Sequence, residues 1–86
     1  MSDANAASVP EITSTLDIRE IVHGQRHPLI FKTYYALKPG QAFILVVDHD
    51  PKPLLNELGF VQHGKFKSTY LEQGPAVWRI QMAKIN

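Results

Sequence analysis

The sequence predicts an α+β domain, a two-layer sandwich in the order β-α-β-α-β-β with a four-stranded mixed sheet and two helices on one face. Three observations carry that prediction. Apolar and polar residues alternate over 15–21, 66–71 and 77–83, the period of strands with one buried face. Two segments, 28–37 and 50–58, carry apolar residues at helical spacing behind a proline. Between them lies an unbroken apolar run, Phe43-Ile44-Leu45-Val46-Val47, the pattern of a central strand with neighbours on both sides.

Each element follows from its own residues. Residues 1–13 are small and polar, with little to bury, and are expected to form a disordered tail ahead of a single domain over 14–86. In TLDIREI, Leu16 and Ile18 alternate with Asp17 and Arg19, giving the first strand. Pro28 opens the first helix, where its missing amide costs nothing; Ile30, Tyr34 and Leu37 share its apolar stripe, and Lys38-Pro39-Gly40 stops it. In HDPKPL, residues 49–54, Asp50 is the expected N-cap and Pro51 the first helical residue. Leu54, Leu55 and Leu58 form the second stripe, and Gly59 is the expected left-handed terminator on which Phe60 folds back. The last two strands are joined by Glu72-Gln73-Gly74-Pro75, with Trp78, Ile80 and Met82 on one face.

Composition narrows the function classes. The chain has 86 residues, 44% of them apolar, enough for one small core. It has no cysteine, which excludes disulfides, thiolate metal sites, persulfide carriage and cysteine nucleophiles. The net charge is +1, or +3 once Asp3 and Glu11 of the tail are set aside, without a basic run. That balance disfavours nucleic acid and anionic membranes as partners. Apolar stretches are far shorter than a membrane span and the first residues lack a signal-peptide pattern, so a cytoplasmic location is expected.

The candidate chemistry sits where the topology brings loops together. In a β-α-β unit both parallel strands end at one sheet edge, so His27, just before the first helix, and His49, just before the second, are expected on the same edge. Several readings stay open there. In the simplest, the two histidines, with Asp48 and Asp50, do no more than satisfy amides at helix starts. Alternatively His27, His49 and Asp48 or Asp50 ligate a divalent metal such as zinc or iron, although no short H-x3-H helical pair presents the rings, because His23 and His27 span a glycine-containing loop. Or Arg26, His27, His49 and Lys52 join exposed helix amides in a site for an anion, a small molecule or a partner protein. Acid-base catalysis by the pair has no further sequence support. Tyr34, Tyr35, Phe66 and Tyr70 are expected to divide between core and surface, Lys67, Thr69, Arg79 and Gln81 to form a solvated sheet face, and His63 to face solvent.

The runs LDIRE, RHPLIF, LKPG, DHDPKPL and EQGPAVWRI together resemble a bacterial family of small proteins classed as a domain of unknown function, found alone or fused to hemerythrin-like di-iron domains. The resemblance extends from about Leu16 to Ile80. That family is similar in turn to the SirA/TusA-like sulfur carriers, which implies the same β-α-β-α-β-β sandwich. The carriers hold a Cys-Pro-x-Pro motif at the start of their first helix; here the stretch is His27-Pro28-Leu29-Ile30. The first proline is kept, the second is isoleucine, and the cysteine is histidine, so sulfur relay is chemically impossible. The resemblance implies a retained binding position with altered chemistry and, through the fusions, an association with metal, oxygen or nitric-oxide biology. The expectation is a non-enzymatic module that binds a partner protein or small ligand at the His27/His49 edge, with metal binding by His27, His49 and an Asp as the alternative.

Overall fold

The computed structural model describes residues 9–86. Six elements follow in the expected order: β1 (Glu11–Asp17), α1 (His23–Tyr35), β2 (Gln41–Val47), α2 (Lys52–Val61), β3 (Phe66–Gln73) and β4 (Trp78–Lys84). They form one four-stranded sheet in the order β1-β2-β4-β3. β1 pairs parallel to β2, while β4 runs antiparallel to both β2 and β3. Three strands therefore point one way and β4 opposes them, so the chain leaves β1 and β2 at the same edge and enters each helix from there.

β2 is the central strand that its unbroken apolar run implies. Phe43, Leu45 and Val47 pack beneath the helices, and Ala42 and Val46 are also buried on the opposite side. The helical stripes fall where the spacing put them: Ile30, Tyr34 and Leu37 from the first segment and Leu54, Leu55 and Leu58 from the second join Ile80 and Met82 in one core. Tyr34 is fully buried, donates its hydroxyl to the Lys65 carbonyl at 3.2 Å, and meets Phe66 edge-on. Its neighbour Tyr35 is exposed, as is His63. On the uncovered sheet face, Arg79 pairs with Glu72 at 2.9 Å beside exposed Lys67 and Thr69.

Several boundaries differ from expectation, most of them for a local physical reason. β1 runs over 11–17 rather than 15–21, because Glu11 and Ile12 already pair with Gln41 and Ala42. Of the tail expected over 1–13, residues 1–8 lie outside the described residues. The strand ends at Asp17, whose carboxylate accepts the Arg19 backbone amide and guanidinium and bends the chain. α1 begins at His23, five residues before Pro28, so the proline lies inside the helix. It forfeits one amide, the one that would have bonded the Gly24 carbonyl.

α2 begins after Pro51 with no side-chain cap, so Asp50 is not the N-cap. Gly59 continues that helix, Phe60 is 85% exposed instead of folding back, and the left-handed glycine after the helix is Gly64, at φ 79°. The β3–β4 strands extend through Gln73 and start at Trp78, with a bulge at Leu71.

Candidate functional site

The carboxyl edge of the sheet is organised by Arg26. This buried side chain, in the first turns of α1, donates to the Ile21 carbonyl at 2.9 Å and the Arg19 carbonyl at 3.3 Å, and its Nη1 lies 3.5 Å from Asp48 Oδ1 beyond the end of β2. One guanidinium thus fastens the β1–α1 loop to the β2–α2 loop, which its planar fork of donors suits. Arg26, expected from sequence as a ligand donor, is placed as a structural clamp between these loops.

Asp48 also accepts a 2.7 Å hydrogen bond from His49 Nδ1. A carboxylate only accepts, so Nδ1 carries a proton, and in the neutral tautomer with that proton Nε2 is an acceptor. The His49 N–H, and after it the Arg26 charge, hold the Asp48 carboxyl below its ordinary range. The His49 ring stacks on His23, with centroids 6.4 Å apart and planes 21° from parallel.

Because α1 starts early, His23 and His27 are an i, i+4 pair on one helix, contrary to the expected loop, and His27 is not at a helix N-terminus. Their rings nevertheless diverge. His23 turns to His49, whereas His27 stacks on Phe31 at 6.0 Å and stands 3.9 Å from Glu57 of α2.

Asp50 has a different role from the one its position suggested. Tyr70, from β3, donates its hydroxyl to Asp50 Oδ1 at 2.5 Å, and this bond, with some burial, pushes the phenol up to about 12. Asp50 is thereby held by the sheet rather than spent on the amides of α2.

These groups surround a pocket of about 170 Å³. Its floor is the core itself, Ile18, Ile30, Leu45, Val47 and Leu54, and its rim is His27, His49, Asp50, Pro51 and Pro53. Both histidines singled out from the sequence therefore line one cavity at the edge where β1 and β2 end. Neither Arg26 nor Lys52 is among the lining side chains; Lys52 is exposed. The proposed metal set does not assemble: Asp48 is bonded to His49 and Arg26, Asp50 to Tyr70, and among the described residues no group of three or more His, Asp or Glu side chains is placed to hold a metal ion. A wider depression of about 370 Å³ between β1 and α1, with Lys32 as its one titratable lining group, lacks such a convergence.

Sequence reasoning missed His23, Glu57 and Tyr70. An i, i+4 spacing marked His23, but only if the helix is allowed to run through Pro28. No local signal marked Tyr70 as the partner of a residue 20 positions away.

Fold and site together define a small α/β sandwich with a histidine-rimmed pocket at the carboxyl ends of its parallel strands. The chain belongs to the DUF2249 family, described as "Uncharacterized conserved protein (DUF2249)", whose model matches residues 15–84. Comparisons with curated proteins and with solved structures return no match. Among the described residues, no helix is long and apolar enough to cross a membrane.

Proposed function

We propose that this chain is a non-enzymatic cytoplasmic binding module, with the layout of the SirA/TusA-like carriers but without their sulfur chemistry. It takes a small ligand, or a side chain of a partner protein, at the His27/His49 edge. The observation that supports this reading is the pocket of about 170 Å³ rimmed by His27, His49 and Asp50 over an apolar floor. A cavity near 150 Å³ holds a molecule of benzene, so the volume suits one compact apolar group with a polar head. The absence of cysteine removes persulfide transfer from consideration.

The test is a titration of the isotope-labelled protein with benzyl alcohol, benzylammonium and benzoate in turn, following the imidazole resonances. At least one probe is expected to move His27 and His49 together, and the H27A/H49A double variant to lose the response in the neighbouring backbone amides. A pocket that accepts none of the three is not a site for small groups, and the binding role then fails.

A further inference from the structure

The one permanent acceptor among the groups lining the pocket is the Asp50 carboxylate, and it bears on the charge of the occupant. Asp50 contributes a carboxylate whose Oδ1 is fixed by Tyr70 and which has no other hydrogen bond among the described residues. His49 contributes a ring whose Nδ1–H is committed to Asp48, so that in its neutral form Nε2 accepts. Glu57 Oε1 stands 3.9 Å from Nδ1 of His27, a further acidic group beside the rim.

The donors that an anion would need are missing or occupied. Pro51 and Pro53 have no amide N–H, so the first turn of α2 offers no consecutive run of donors. The N-terminus of α1 lies at His23, a turn away from His27. The Arg26 guanidinium is buried against Ile21, Arg19 and Asp48, and Lys52 lies outside the lining.

Resting on the binding role proposed above, we propose that the pocket recognises an alkyl- or arylammonium group. The apolar body sits on Ile18, Ile30, Leu45, Val47 and Leu54 while the N–H donors meet Asp50 and His49 Nε2. The same chemistry arrives as a free amine or as a lysine side chain of a partner protein.

The experiment compares benzylammonium, benzyl alcohol and benzoate, which share one body and differ in charge, by chemical-shift titration of the wild type and of Asp50→Asn. Benzylammonium is expected to bind at least about tenfold more tightly than either other probe, and to lose about tenfold in D50N, the loss of one charge-assisted hydrogen bond. The side-chain amide of that variant still offers an oxygen to Tyr70, and the probe series on the wild type decides the question even if the variant folds poorly.

Equal or tighter binding of benzoate or benzyl alcohol overturns the ammonium assignment while leaving the pocket a binding site. Unchanged ammonium affinity in a folded D50N overturns it as well. Failure of all three probes overturns both readings together. A blocked Gly-Lys-Gly peptide distinguishes the sources: tighter binding than benzylammonium assigns the site to a partner's lysine, and weaker binding to a free amine, each consistent with the ammonium class.

Discussion

The guanidinium of Arg26 reaches from α1 to within 3.5 Å of Asp48, across the gap between the loops that follow the two parallel strands. Asp48 in turn orients His49 at 2.7 Å, so the clamp that closes the fold also sets the ring at the mouth of the pocket. Stability and site geometry are coupled through one carboxylate oxygen, Oδ1, which takes both bonds.

Replacing Arg26 with alanine leaves the Ile21 and Arg19 carbonyls without their partner and removes a buried side chain. A loss of about 2–3 kcal/mol is expected in urea unfolding, the scale of hydrogen bonds made by a charged donor. Arg26→Lys should recover only part of it, because a point ammonium does not bridge two carbonyls and a carboxylate as a planar fork does. Equal stability of R26K and the wild type would argue that the geometry of the fork is unimportant.

Removing the Tyr70 hydroxyl with Tyr70→Phe should cost about 1 kcal/mol and free the Asp50 side chain from β3. The bond also leaves a signature in alkali. A phenol raised from 10.0 to about 12 favours the protonated fold, so its contribution is full below pH 10.0 and is lost as the pH rises to about 12. Urea midpoints measured across that window should fall more steeply for the wild type than for Y70F.

Acid dependence comes from the carboxylates at the same edge. Arg19 holds Asp17 down to about 2, and the His49 N–H, followed by Arg26, lowers Asp48. Depressed carboxyls contribute above their unfolded value of 3.8 and lose that contribution as the pH falls through the lower folded values. Unfolding midpoints should therefore drop between pH 3.8 and about 2, and D17N/D48N should show a shallower drop over the same range.

Gly74 sits at φ 62°, and a Cβ there would lie 2.8 Å from the Trp78 ring. Gly74→Ala should destabilise by about 1–2 kcal/mol from the left-handed backbone alone, with a further cost for displacing the indole. Thermal unfolding with tryptophan fluorescence reads both, since a shifted ring changes its emission. A variant as stable as the wild type would show that the β3–β4 connection relaxes without cost.

What was legible in the sequence was whatever depends on periodicity. The stripe of Ile30, Tyr34 and Leu37, the leucines of α2 and the unbroken run of β2 each specify a buried face, and the element order follows from them. The boundaries were less legible because they depend on side-chain bonds between distant positions. Arg26 must be helical to reach back to Arg19 and Ile21, which extends α1 through Pro28 against the usual reading of an internal proline. Asp50 looked like a cap because its sequence context is that of a cap, but Tyr70 from another strand claims it. That His27 and His49 line one cavity at the same edge was a consequence of β-α-β topology and needed no side-chain information. The stack of His49 on His23 depended on the helix start that the sequence did not reveal.

The most direct test of the binding role is a methyl chemical-shift map of the wild type and of H27A/H49A, titrated with whichever of benzylammonium, benzyl alcohol and benzoate binds best. The binding role predicts saturable shifts centred on Ile18, Ile30, Leu45, Val47 and Leu54, with affinity at least about tenfold weaker in the double variant. Shifts centred instead on the open sheet face around Ile44 and Ala83, or an affinity that ignores the loss of both imidazoles, would contradict it.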